Sequence, residues 1–353
     1  MLPVVYLLSF SSVINCQDTL SLQNVVVHSI KRPILFNRNF RLVKIITEQE
    51  IRESGVDNIT DLLTYALGVD VRRRGADDVQ ADVSLRGGSS DQVLIMVNGV
   101  PVSDPQTGHH SMVLPIDMSD VQSVEILQGP GTRLYGLNAF TGAINFIIKP
   151  HRKRLFLFKL TGGQYDYVKG IAQANFSVGK SENLLSVSKN FSSGYTENTD
   201  FDITKMFYSS NVLRNRYKFY FQTGVVCKSF GAYNFYTPAF PYQYEVINNE
   251  MASGRLVFGG GLKSAITVYY RRNQDKFELF RETKNWYEHR GDYWIKGQSD
   301  TAKYVRDMYI PAVYYQGHNY HVNHILGLSY YLNFSSKLGH TALGAEYRRL
   351  YIR

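Results

Sequence analysis

Few side chains in this sequence are placed to do chemistry. Thr107-Gly108-His109-His110 sets two imidazoles side by side, able to touch a metal chelate or to donate hydrogen bonds to its carboxylates. Consecutive residues point apart in an extended chain, which argues against a two-histidine clamp on one ion. His318, His321 and His324 recur every third residue, which raises a metal site, but they straddle a loop-to-strand boundary. Gly129-Pro130-Gly131-Thr132-Arg133-Leu134 fails the dinucleotide pattern at Leu134. Gly179-Lys180-Ser181 lacks the earlier glycine of a phosphate loop, with Ala174 in its place. No Ser-His-Asp set or paired carboxylates stand out, so the expectation is a non-enzyme with no catalytic residues, no resident metal and no cofactor. Cys16 and Cys227 are the only cysteines, which excludes a disulfide scaffold and a cysteine-rich zinc module.

These residues sit in a chain of 353, of which 44% are hydrophobic and 20% charged, so it is neither disordered nor a polytopic helical membrane protein. The 26 Tyr and 20 Phe, with 28 Gly and 10 Pro, favour strands and turns over helices. A net charge of +9 fits nucleic acid, anionic lipid or an acidic ligand and selects none of them. Leu2 to Ile14 is an apolar run too short for a bilayer, which needs ~20 residues, and suits the core of a secretory signal; residues 1–17 are the expected signal peptide.

The elements that must position the chemistry change character near Pro150. Before it, Thr47-Glu48-Gln49-Glu50 reads as a capping box for a short helix ended by Gly55. Asp57 can cap a second helix whose Ile59, Leu62, Leu63 and Ala66 share a face, with Gly68 as its left-handed stop. Strands follow at Val83 to Arg86 and Val93 to Val97, the latter apolar throughout and so expected to be buried on both faces. Asn98-Gly99 is a type I′ hairpin signal. Val121 to Leu127 and Ile144 to Ile148 complete a small α+β domain. After Pro150, apolar residues alternate with polar ones: Val168, Gly170, Ala172, Ala174 and Phe176 against Lys169, Gln173 and Asn175, then Phe219, Phe221 and Val225 against Lys218, Gln222 and Lys228. Short turns near 179–183, 213–216, 259–263 and 335–340 interleave with long loops near 194–202, 231–242 and 273–320. That asymmetry fits an outer-membrane barrel, while the alternation alone fits a water-soluble β-sandwich equally well.

Four segments carry a resemblance: Val83-Ser84-Leu85-Arg86-Gly87, Val93-Leu94-Ile95-Met96-Val97-Asn98-Gly99-Val100-Pro101, Val124-Glu125-Ile126-Leu127-Gln128-Gly129-Pro130 and the run from Leu134 to Asn145. Their order and spacing resemble the plug domain of TonB-dependent outer-membrane receptors, nearest in layout to the cobalamin and ferric-siderophore branch. Upstream, Leu22-Gln23-Asn24-Val25-Val26-Val27-His28-Ser29 looks like the TonB box, a β-branched run able to add as a strand to a partner's sheet edge. The resemblance implies an α+β plug followed by an antiparallel transmembrane β-barrel, divided as signal peptide 1–17, box segment and linker 18–38, plug 39–150 and barrel from 151 to 353. It implies energy-coupled uptake of a metal chelate, ferric siderophore or cobalamin across the outer membrane of a Gram-negative cell. The implied partners are a TonB-type inner-membrane energy complex, a small metal-chelate ligand and outer-membrane lipid and lipopolysaccharide, with no nucleic acid. It further implies that Arg86 and Arg133 lock the plug to barrel-wall carboxylates, and that Thr107, Gly108, His109 and His110 form an apex loop touching substrate.

Alternation after Pro150 yields about nine strands, whereas plugged transporters of this family have about 22 and a barrel of eight strands is filled by its own side chains. The expectation is a barrel only part of which lies in this sequence. A glycan importer of the same superfamily, a non-transporting receptor fragment and a secreted β-rich enzyme are the competing readings. The first would need an extra domain before the plug, where only about Asp18 to Asn39 is available.

Overall fold

The computed structural model describes residues 26–27, 34–35, 43–150, 155–238, 240–282, 284, 287–290, 293–296, 318–336 and 339–353. The expected signal peptide lies outside the described residues. A two-residue bridge comes first, β1 (Val26–Val27) with β2 (Ile34–Leu35).

The N-terminal domain opens with β3 (Val43–Ile46) and α1 (Glu48–Glu53). The capping box forms: Thr47 Oγ1 accepts from the Glu50 amide at 3.3 Å and the Glu50 carboxylate accepts from the Thr47 amide at 2.7 Å. Helix α2 (Ile59–Thr64) is capped by Asn58, not by the expected Asp57. The Asn58 side chain takes the Asp61 amide at 2.7 Å, while the Asp57 side chain reaches Lys159. Strands β4 (Val69–Arg74) and β5 (Gln80–Leu85) form a hairpin. Then come β6 (Val93–Val97), β7 (Val100–Pro101), β8 (Val121–Gln128), α3 (Thr132–Tyr135) and β9 (Gly142–Ile148), giving a five-stranded sheet in the order β3-β8-β9-β6-β7. Strand β6 runs parallel to β9 and is buried at every position, as its unbroken apolar run requires. Asn98 and Gly99 both take positive φ (51° and 77°), the type I′ geometry that returns β6 into β7. Leu62, Leu63, Ile95, Ile126, Ile144 and Phe146 belong to the one core that joins helices and sheet.

The second region is a nine-stranded antiparallel sheet in chain order: β10 (Phe156–Gly162), β11 (Val168–Val178), β12 (Ser181–Ser192), β13 (Phe201–Leu213), β14 (Tyr217–Gly231), β15 (Tyr244–Phe258), β16 (Leu262–Glu278), β19 (Asn319–Ser336) and β20 (Gly339–Ile352). A small hairpin of β17 (Tyr287–Arg290) and β18 (Tyr293–Lys296) falls between β16 and β19. Strand β16 continues to Glu278, five residues past the expected start of the loop at Asn273. Asn273 and Asp275 keep the inward alternation and are buried, so the strand has no reason to stop there. Short turns gather at one end of this wall and long loops at the other.

The wall is inverted relative to a water-soluble sheet. Its concave face buries Lys169, Gln173, Asn190, Gln222, Arg271 and Asn273, whereas Phe158, Leu160, Val225, Val268, Leu326 and Leu328 stand exposed on the convex face. Water would reward the opposite arrangement, so the wall has the polarity of a membrane barrel and not of a water-soluble sheet. The border between apolar and polar convex residues supports this. Followed through the strand register, it passes Val168 on β11, Met206 on β13, Tyr270 on β16 and Tyr347 on β20, with Asp202, Arg272 and Arg349 beyond it. The border slips by about one residue per strand, and with ~3.3 Å rise and ~4.8 Å strand spacing this is a tilt of about 35°. Among the described residues no helix is long and apolar enough to cross a membrane. The N-terminal domain nests on the concave face, most closely where Pro115 meets Gly224. A Cβ at Gly224 would lie 2.7 Å from the Pro115 ring, so only glycine admits this approach.

Candidate ligand face and plug anchorage

The concave face of the wall holds the N-terminal domain through buried cations. Lys205 on β13 donates to Asp78 at 3.0 Å and to the Ile116 carbonyl at 3.2 Å. Lys169 on β11 donates to the Asp57 carbonyl at 2.8 Å and stands 3.4 Å from the Asp117 carboxylate. Lys228 on β14 donates to the Val79 carbonyl. Burial by itself would push the Asp78 carboxyl up, but the Lys205 ammonium, with Lys169 and Lys228 behind it, holds it below the usual range. Neutral groups complete the seam. Asn190 donates to Asp77 at 2.7 Å, Gln173 to Asp120 at 2.9 Å, and Asn98 to Gln222 at 2.8 Å.

The loop from Val102 to Asp117 is held both by its own side chains and by the wall. Asp104 closes it locally, accepting from the Thr107 amide at 3.0 Å, the Thr107 hydroxyl at 2.9 Å and the Gly108 amide at 3.0 Å. From the wall, the fully buried Arg271 donates to the carbonyls of Ser103 (3.1 Å) and His110 (3.0 Å), tying the loop's entry to its exit. Asn323 on β19 donates to Asp104 and Gln106 at 3.2 and 2.9 Å. His110 is buried against the wall, its Nδ1 accepting from the Asn273 amide at 3.0 Å, and burial pushes its pKa down to about 4, so the ring is neutral.

His109 turns the other way. Its Nδ1 donates to Asp82 at 2.8 Å, with 37% of the side chain exposed at the long-loop end. That hydrogen bond raises the His109 pKa against a smaller opposing effect of burial. Arg74 joins the same carboxylate at 2.5 Å and lies 5.7 Å from the Tyr236 ring centre. Tyr236, from the loop between β14 and β15, bonds to Gln80 at 3.0 Å and packs edge-on against Phe277 at 5.8 Å. Asp82, Arg74, His109, Tyr236 and Phe277 thus form one polar and aromatic cluster where the N-terminal domain meets the long loops. Arg74, Asp82 and Tyr236 were not among the sequence candidates. The alternation that leaves Gln80 and Asp82 on β5 among apolar neighbours is the one local signal for them.

Arg86 is exposed in a left-handed conformation (φ 52°), with its guanidinium near Gly129, and makes no ion pair among the described residues. Arg133 belongs to α3, and its side chain lies outside the described atoms. Of the expected box, only Val26 and Val27 are described, as β1; Leu22, Gln23, Asn24, Val25, His28 and Ser29 lie outside. His318, His321 and His324 diverge to Glu282, Asp275 and Tyr270 respectively, and no group of three metal-ligating side chains occurs among the described residues.

Residues 41–143 match the family model described as the TonB-dependent receptor plug domain. The vitamin B12 transporter BtuB of Vibrio vulnificus is 31% identical over 159 residues, covering 45% of this chain and 25% of that protein. The unliganded ferric citrate transporter FecA superposes with a TM-score of 0.66 at 13% identity, covering 89% of this chain and 48% of FecA. The alcaligin outer-membrane receptor FauA of Bordetella pertussis gives 0.63 at 13% identity, covering 92% and 49%. Over the region it spans, this chain is similar to TonB-dependent receptors in family model, relatives and fold: a plug domain at residues 41–143, followed by a wall folded like part of their barrel. It spans about half the length of those solved receptors.

Proposed function

We propose that the chain serves energy-coupled uptake of a small metal chelate, a ferric siderophore or cobalamin, across the outer membrane. The observation that carries this reading is a plug held inside an apolar-out wall by buried wall cations, with the Asp82–His109–Tyr236 cluster facing the long loops. In this reading ligand meets the plug at Thr107, Gly108, His109 and the face above His110. Such a contact releases the plug when a TonB-type inner-membrane complex pulls on Leu22 to Ser29 by strand addition. Arg86 and Arg133 are proposed to lock the plug to wall segments beyond those described. The convex apolar belt contacts lipid, and the charged convex residues above it face lipopolysaccharide. No bond in the ligand is broken.

The test uses the full-length gene with Leu22 to Ser29 deleted. Cell-surface binding of labelled ferric siderophore or cobalamin should persist while uptake is lost. Unchanged uptake would overturn the reading. Comparing growth under iron and under cobalamin limitation then separates the two ligand classes.

A further inference from the structure

The two ends of the wall handle charge differently. At the long-loop end cations are paired: Arg74 with Asp82, Lys189 with Asp202, Lys276 with Glu278 and Arg281 with Asp200. At the short-turn end lies a cavity of 520 Å³ between the wall and the underside of the plug, where β6 turns into β7 and β9 ends. It is lined by Lys149, Arg214, Arg216, Lys218, Arg255 and Lys263, and by no carboxylate among the described residues. Of these, Arg214, Arg216, Lys218, Arg255 and Lys263 form no ion pair among the described residues. Register places Lys218, Arg255 and Lys263 on the concave side of β14, β15 and β16, converging on one space.

The lining also leaves hydrogen-bonding capacity unused. Arg255 Nε, Ser209 Oγ and Asn333 Oδ1 are buried without a partner, and all three belong to this cavity. Two of these, Arg255 Nε and Ser209 Oγ, are buried orphan donors beside unneutralised like charges, a costly pattern that closes if an anion completes it.

We propose that this cavity is an anion-binding site for a small polyanion bearing phosphate or carboxylate groups. Arg255 and Ser209 donate to its oxygens from the wall, Arg216 closes over it from the β13–β14 turn and Lys218 from the start of β14. Tyr220, inward on β14, supplies a ring wall on the same side. Short turns face the periplasm in outer-membrane barrels, so the site lies on the side where a ligand leaves or an inner-leaflet lipid phosphate reaches. It goes beyond the uptake reading and is tested by binding alone, so its failure is distinct from a failure of uptake.

The experiment titrates the full chain in detergent micelles with inorganic pyrophosphate by calorimetry. One saturable site is expected, weakening as salt is added. The double variant Arg216→Gln, Lys218→Gln, at exposed positions in the β13–β14 turn and at the start of β14, should weaken it at least about tenfold, a loss of ~1.4 kcal/mol. Arg255→Gln should do the same, whereas Arg72→Gln on the exposed plug surface should leave it unchanged. Absence of saturable binding, or an unchanged Kd in the double variant, overturns the site. In nanodiscs, loss of pyrophosphate binding with phosphatidylglycerol but not with phosphatidylcholine assigns the site to a lipid headgroup. Equal binding in both assigns it to a soluble anion.

Discussion

Ile144 and Leu328 are both aliphatic residues in the middle of strands, yet Ile144 is fully buried and Leu328 is 48% exposed. Around Ile144 the neighbours are the apolar core of the plug; behind Leu328, on the other face of β19, Asn323 is buried and bonded to Asp104. The plug obeys the rule for water, apolar inside and polar outside. The wall reverses it, apolar on its convex face and polar on the concave face, where its neighbour is a folded domain with polar groups to satisfy. The two regions therefore meet through buried ions and amides set among smaller apolar contacts, such as Val79 and Val113 of the plug against Phe201, Val226 and Phe230 of the wall.

Four changes test that contrast, in descending order of effect. Ile144→Asp places an unpaired charge in the plug core and should cost more than about 4 kcal/mol, leaving a plug open to protease while the wall still assembles. Lys205→Met strands the buried Asp78 and should loosen the plug by about 3–5 kcal/mol, read as faster hydrogen exchange over residues 76–82. Adding Asp78→Asn to that variant should recover most of the loss. If it does not, the ion pair is not what joins the regions. Leu328→Arg, harmless by the rules of a soluble protein, should cost about 2–4 kcal/mol of folding stability in a bilayer. A soluble sandwich would tolerate it.

The fourth change is pH. Because His110 has its folded pKa pushed down to about 4, the unfolded chain takes up the proton first as acid is added. The contribution is therefore whole above about pH 6.5 and is lost as pH falls toward 4, amounting to roughly 2 kcal/mol between pH 7 and 5. Hydrogen exchange in the loop from Ser103 to Met112 should rise over that window, and His110→Gln should flatten the response. The His109–Asp82 pair is expected to have the smaller effect. Asp82 is held low and contributes above the ordinary carboxylate range, while His109 is raised and contributes until pH climbs through its folded pKa. Both are partly hydrated, so the pair is worth little beyond orienting the ring.

Much of the plug was legible because its signals are local. The Thr47–Glu50 box, the Asn98-Gly99 turn and the buried run from Val93 to Val97 each require only neighbours in sequence, and all three appear as expected. The cap of α2 shows the limit of such signals. Asp57 and Asn58 are equally suited by type, and the choice fell to Asn58, with the Asp57 side chain on Lys159 and its carbonyl on Lys169, both from the wall. In the wall, alternation showed which residues share a face but not which face meets lipid, since a sandwich and a barrel share the period of two. Packing Lys169, Lys205 and Arg271 against the plug decided it.

The sequence by itself determined the strands, their turns, the order of the plug motifs and the family they resemble, because these rest on residue type and short spacing. Only the tertiary structure decided that the wall supplies the buried cations of the described seam and the plug the carboxylates and carbonyls that accept from them. Only it turned His110 into the wall and His109 toward the long loops, and gathered the unpaired cations under the plug. These arrangements join residues far apart in sequence, such as Asn98 with Gln222 or Asp104 with Asn323, and no local rule of propensity or period reaches that far.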